Sequence, residues 1–321
     1  MNRETSGPRR GRAATLLILK LAVTGSLIAW VFSRIDLRDL GAGLRASLSP
    51  WLIAAVLVAA TNVTLGAARW RLMLTALGSP LPLGRAIRLV WAGLFFNTFL
   101  PTGVVGDALR GGWTAKLSDR ARAYWSVVLD RVTALGALML VAAVGLTLPR
   151  ARELPAAPTL ALACVVLGLP ALLVLAAPQQ LARLLARFGG ARVRRALEGR
   201  VTDPPPAGPR LKALALASGL HLLVVLDVAL LARAAHLQVP WAVLLAVVPA
   251  VLVASYLPVS ISGIGVREVA IVELFGQAGV PAAGALTVSL LILAISIALS
   301  LVGGLVYLAS GGQPGAAPPP A

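Results

Sequence analysis

Two arginines, each four residues after a glycine and nine after a proline, are the side chains of this sequence best spaced to do chemistry. The stretch Thr98-Phe99-Leu100-Pro101-x4-Gly106-x3-Arg110 recurs 157 residues later as Ser255-Tyr256-Leu257-Pro258-x4-Gly263-x3-Arg267. A guanidinium is a planar fork of donors that grips a phosphodiester in bidentate fashion. A glycine turn or a helix N-terminus adds backbone N–H groups and a favourable dipole for the same anion. Gly106 and Gly263 sit where such turns belong, and Arg110 and Arg267 follow about one helical turn on. The chemistry so arranged is capture of a phosphate.

Further charges lie where charge is costly. Asp130 and Arg131 fall six or seven residues inside the apolar run that begins at Tyr124, and each costs about 2.5–3.5 kcal/mol at a helix centre, less nearer the interface. Adjacent residues point about 100° apart, so the two are expected to pair with different partners. Asp107 and Arg110 share a helix face, either as a pair that a phosphate would compete with or as an exposed pair at a helix start. Asp227 lies at similar depth and either relays a proton or neutralises an arginine. Glu268 is expected to pair with a basic residue of the other copy, and Glu273 to be solvated or interfacial. His221 reads as a packed interface histidine, Lys20 as a snorkelling lysine, and Arg69-Trp70-Arg71 as an interface anchor. The anion-binding candidates are thus Arg110, Arg131, Arg267, Gly106, Gly263 and Asn97. Asp107, Asp130, Asp227 and Glu268 are candidates for ion pairing or coupling, and Pro101 and Pro258 for helix breaks.

The elements that must position these residues are membrane helices. Of 321 residues, 58% are hydrophobic and 13% charged, and runs of about twenty apolar residues can cross a bilayer. The runs are Ala13 to Ser33, Trp51 to Ala68, Leu89 to Leu100, Tyr124 to Leu148, Pro158 to Ala177, Leu211 to Ala232, Ala242 to Leu257 and Gly284 to Leu308. The first reads as a span, being long for a signal peptide and lacking a cleavage site. The lone Cys164 excludes an intrachain disulfide and reads as a small buried hydrophobe. The net charge of +17 is concentrated in Met1 to Arg12, Arg69 to Arg88, Arg110 to Arg122 and Arg183 to Lys212. Beside spans such charge sets orientation and attracts anionic headgroups, so nucleic acid is not an expected partner.

Leu89 to Leu100 is twelve residues, roughly 18 Å of helix against a hydrocarbon core of about 30 Å. Broken backbone at such depth needs surrounding protein or a watery cavity. Making the third and seventh runs re-entrant places all four basic stretches on the cytoplasmic side. The expected fold is therefore all-α and polytopic: about six full spans, two re-entrant broken helices, two inverted-topology repeats and both termini cytoplasmic. Its parts are a basic N-terminus (1–12), a first membrane repeat (13–148), a short external loop (149–157), a second repeat (158–308) containing a basic cytoplasmic loop (178–212), and a disordered tail (309–321). The alternative for each break is a proline-kinked span whose glycines permit close packing.

Arg69-Trp70, Asn97-x3-Pro101-x4-Gly106-Asp107-x2-Arg110, Ser126-x2-Leu129-Asp130-Arg131-x4-Gly136 and Gly263-Ile264-Gly265-Val266-Arg267-Glu268 together resemble the flippase-like transmembrane domain of lysylphosphatidylglycerol synthases, also called multiple peptide resistance factors. One departure is Val105, where the family often has glycine. The resemblance covers nearly the whole chain and implies moving a lipid with a polar headgroup between leaflets. With Ala321 soon after the last run, lysyl transfer by an attached aminoacyltransferase domain is not expected. The expected function is a flippase of the cytoplasmic membrane for an anionic or aminoacylated lipid, phosphatidylglycerol-type or polyprenyl-phosphate-linked. The alternative is a non-transporting scaffold or regulator of a lipid synthase. No enzyme activity, metal or cofactor is expected, and no P-loop motif is present to use ATP. The partners expected are membrane lipid and, in the alternative, a separate synthase.

Overall fold

The structure is a computed structural model. It describes residues 37–100, 105–177, 205–256 and 262–312, with a few single positions besides. The N-terminus 1–12, most of the run Ala13 to Ser33, Pro101, Leu257-Pro258, most of the basic loop 178–212 and the end of the tail lie outside the described residues.

The described elements are all helical: α1 (Leu37–Ala46), α2 (Pro50–Ala76), α3 (Leu83–Phe99), α4 (Val105–Ala115), α5 (Arg120–Thr147), α6 (Ala157–Ala176), α7 (Ala207–Ala234), α8 (Trp241–Tyr256), α9 (Val266–Gly276) and α10 (Ala282–Ala309). A single helical turn, Pro149–Arg152, lies between α5 and α6. Local sequence starts these helices in recognisable ways. Pro50 opens α2 at a position whose N–H has no intrahelical acceptor, and the Asp119 side chain caps α5 by accepting from the Arg122 N–H at 3.0 Å. Inside α6, Pro170 denies Val166 a hydrogen bond, and a π-helical turn over Cys164–Gly168 absorbs the mismatch. Arg210 closes the end of α6, its Nη1 donating to the carbonyls of Leu175 and Ala176 at 2.6 Å each.

Five of the described helices, α2, α5, α6, α7 and α10, are long and apolar enough to cross a membrane. The third and seventh runs are indeed the short ones. Helix α3 has 17 residues and α8 has 16, about 26 and 24 Å of rise. Helix α3 begins at Leu83, earlier than its apolar run, because Arg85 and Arg88 occupy helical positions that hydropathy trims away.

The packing exchanges partners between the halves. Helix α2 lies along α7, α3 along α10, and α5 along α8. The last two contacts are close enough to require glycine. A Cβ at Gly145 of α5 would meet the backbone of Leu245 and Ala246 in α8 at 2.6 and 2.7 Å, and a Cβ at Gly303 of α10 would overlap the Trp91 carbonyl of α3. The main core gathers α7, α8, α9 and α10 around Leu231, Leu244, Ile271, Phe275 and Leu286.

Candidate functional site

Helix α4 turns back on α3. The ring of Trp113 lies 5.9 Å from that of Phe96, whereas a continued helix would set those residues roughly 25 Å apart. The turn itself is fastened by Asn97, whose Oδ1 accepts the Gly106 N–H at 2.8 Å. Gly106 sits against Gly93 so closely that a Cβ would overlap the Gly93 carbonyl. Asn97 and Gly106 therefore satisfy each other across the turn, which corrects the expectation of a free Gly106 N–H. A short polar side chain one turn before the break is in reach of the next helix's first N–H groups.

The second broken helix is built similarly with different residues. Gly263 has φ +77°, and a Cβ there would lie 2.8 Å from the Ser255 carbonyl oxygen of α8. Gly265, at φ +86°, caps α9 and donates its N–H to Glu268 Oε2 at 2.6 Å. Arg267 donates to Glu268 Oε1 from Nε (3.0 Å) and Nη2 (2.6 Å), and Ser289 Oγ donates to the same oxygen at 3.2 Å. Glu268 thus pairs with its neighbour in the chain and not, as expected, with the other repeat. As the third residue of α9 it folds back toward the N-cap, where the Arg267 side chain also reaches. The two turns meet: Ser262 Oγ donates to the Thr98 carbonyl at 2.9 Å, and Thr98 Oγ1 lies 2.7 Å from Ser300 Oγ on α10.

Beside the first turn an ionic network joins α2, α4 and α5. Asp130 accepts from Arg69 Nε at 2.9 Å and Nη2 at 3.3 Å, and from Arg110 Nη2 at 3.4 Å. Arg110 also lies 3.4 Å from Asp107, which pairs with Arg131. Asp130 and Arg131 do take different partners, as their helical offset requires. Three arginines against two aspartates leave the network one positive charge in surplus. Arg110 is buried, with an Nε that has no acceptor, and its guanidinium stacks 4.6 Å over the Trp70 ring. Only Arg131 is substantially open, its side chain 45% exposed.

The interface-anchor reading fails for Arg69 and Trp70. Trp70 is wholly buried, donating Nε1 to Ser126 Oγ at 3.1 Å, and Arg71 donates to the Leu81 carbonyl at 2.7 Å. Their run ends at Ala68, yet α2 continues to Ala76, so these residues sit within the helix and not at its exit. His221 is packed as expected, with Nε2 2.9 Å from the Ala134 carbonyl. Among the described residues Asp227 pairs with no arginine, and its Oδ1 is buried without a hydrogen-bond partner. Among the described residues no three His, Cys, Asp or Glu side chains are grouped to hold a metal. A cavity of about 740 Å³ lies away from the network beside Trp51, Arg233, His236 and Trp241.

The sequence pieces Arg69-Trp70, Asn97 to Arg110 and Ser126 to Arg131 thus converge on one network, with Gly263 to Glu268 following Ser262, which bonds to the first turn. A family model described as the lysylphosphatidylglycerol synthase TM region matches residues 17–304. The chain belongs to that family. A search of curated proteins finds no match. As a member of the lysylphosphatidylglycerol synthase TM-region family with several helices of spanning length, it is a multi-pass membrane protein tied to lipid metabolism.

Proposed function

We propose that this chain moves an anionic or aminoacylated lipid, of phosphatidylglycerol or polyprenyl-phosphate type, between the leaflets of the cytoplasmic membrane. The observation that carries this reading is the ionic network beside the meeting turns, with its surplus positive charge and one open arginine. A lipid phosphate brings the missing negative charge and accepts bidentate hydrogen bonds from guanidinium. Arg131 receives it first, Arg110 has a spare Nε donor behind, and Arg267 stands on the second turned helix pair. The acyl chains stay in lipid while the headgroup follows the polar route. The chain itself performs no chemical step on the lipid, and a separate synthase supplies any aminoacylated substrate.

In this reading α3/α4 and α8/α9 are re-entrant hairpins, since α3 and α8 each fall short of the roughly 30 Å hydrocarbon core. A hairpin that returns to its own side makes α7 run opposite to α2, so the two halves are inverted repeats. The reciprocal packing supports this. Each half's short helix lies on the other half's last span, through Gly145 in one case and Gly303 in the other, while α2 and α7 pair with each other. With Ala13 to Ser33 as a further crossing, both termini face the cytoplasm and the basic loops lie inside. Rocking of the hairpins then alternates access between leaflets.

The test is leaflet translocation of fluorescent phosphatidylglycerol, lysylphosphatidylglycerol and a polyprenyl phosphate in proteoliposomes, comparing wild type with Arg131→Ala at matched protein content. Loss of one charge-assisted contact of about 1.5–3 kcal/mol predicts transport slowed about tenfold or more. Movement of none of these lipids by the wild type would favour the scaffold reading. Undiminished transport by Arg131→Ala would remove the network from the route.

A further inference from the structure

Helix α7 carries one acid at membrane depth that the ionic network does not use. Asp227 faces a cavity of about 50 Å³ lined by α7, α8, α9 and α10, room for a few water molecules. The walls are apolar, formed by side chains such as Val224, Val251, Ile271 and Phe275, and the other charged residue on the lining is Arg267. Asp227 Oδ1 meets no donor. Arg267 is turned aside, its Nε and Nη2 both on Glu268 Oε1.

Glu268 does not depend on that arginine alone. It also accepts the Gly265 N–H at 2.6 Å and the Ser289 hydroxyl at 3.2 Å, so its charge stays solvated by protein if the guanidinium leaves. Among the described residues, the elements packed on α7 bring no other charge to the cavity. Arg69 of α2 and Asp130 and Arg131 of α5 belong to the first network, and α8 and α10 contain no charged residue. Glu273 of α9 is exposed. On α7 itself, His221 is held by the Ala134 carbonyl and Arg233 stacks 5.3 Å from the Trp51 ring centre.

We infer that Asp227 is a proton site switched by Arg267: it holds a proton while the guanidinium sits on Glu268, and releases it when the guanidinium crosses the shared cavity. A carboxylate oxygen without a donor among apolar walls is an uncompensated buried charge, and a bound proton removes that charge. On release, the carboxylic O–H bond breaks, the proton passes to water reaching the cavity, and the carboxylate takes Arg267 as its counter-ion. Glu268 remains ionised on Gly265 and Ser289. The net charge of the three groups changes from zero to minus one, and the group that moves belongs to the second turned helix pair. A transmembrane proton gradient would thereby bias that pair. This use rests on the transport reading above, whereas the proton site does not.

Infrared spectroscopy of the full chain in lipid, with Asp227→Asn as the near-isosteric control, tests the site without any transport assay. The expected result is a carbonyl stretch of a protonated carboxylic acid at neutral pH that disappears in Asp227→Asn. Glu268→Gln, which frees Arg267, should abolish the same band by letting Asp227 ionise beside the guanidinium. No band in the wild type, or one that survives Asp227→Asn, overturns the site. A band that depends on Asp227 yet is unchanged in Glu268→Gln overturns the switch. Should the wild type move no lipid while both infrared results hold, the transport reading fails and the proton site stands.

Discussion

Replacing Asp130 by asparagine probes how the buried arginines are tolerated. Asp130 is 3% exposed and is the acid shared by Arg69 and Arg110, whose side chains are 12% and 7% exposed. The substitution keeps the shape and one acceptor oxygen but removes the charge, leaving two guanidiniums facing each other with only Asp107 nearby. Unit charges about 4 Å apart interact by about 4 kcal/mol at an effective dielectric of 20, and breaking a buried pair typically costs about 3–5 kcal/mol. Because asparagine still accepts a hydrogen bond, the lower end is expected, about 3 kcal/mol of stability. Reversible unfolding in mixed micelles titrated with sodium dodecyl sulfate measures it. The double variant Arg69→Gln/Asp130→Asn restores the charge count and should recover more than half of the loss. An Asp130→Asn protein within about 0.5 kcal/mol of wild type, or a double variant no more stable than the single one, would refute the claim that charge balance holds this network together.

Smaller perturbations test the parts around it. Asn97→Ala removes the acceptor of the Gly106 N–H and should cost about 1 kcal/mol, with faster hydrogen exchange at the start of α4 as the local signature. Trp70→Phe keeps the ring under Arg110 but loses the bond to Ser126, for about 1 kcal/mol in the same unfolding assay. Gly145→Leu and Gly303→Leu each drive a side chain into backbone and should destabilise by about 3 kcal/mol, the upper end for overpacking. Comparable losses at both positions would match their reciprocal placement, and a tolerated Gly303→Leu would contradict the close approach to Trp91.

The sequence by itself determined the class, the helices and the weak points. Bilayer-spanning helices form from local hydropathy and satisfy their own backbone hydrogen bonds, so the runs from Trp51, Tyr124, Pro158, Leu211 and Gly284 each mark a helix that the structure contains. The two short runs were legible for the same reason, and so was the recurrence of Gly106 and Arg110 in Gly263 and Arg267. Helix ends were less legible, because α2 carries Arg69-Trp70-Arg71 past the end of its apolar run. The place of Arg69 beside Asp130 is therefore not visible from the apolar run alone.

What only the tertiary structure decided is which groups meet. Residue spacing can put Asp130 and Arg131 on different faces, but the partners on those faces come from α2 and α4, tens of residues away. Glu268 shows the converse, since its partner proved to be Arg267 next to it, drawn in by the cap at Gly265 and not by a distant base. Asp227 is an acid at depth from the sequence alone, and the lack of a donor to its Oδ1 becomes visible only with the apolar cavity that α8, α9 and α10 line beside it. Pairing energies at depth depend on every group within a few ångströms, and a one-dimensional pattern carries the cost of burying each charge without naming what offsets it.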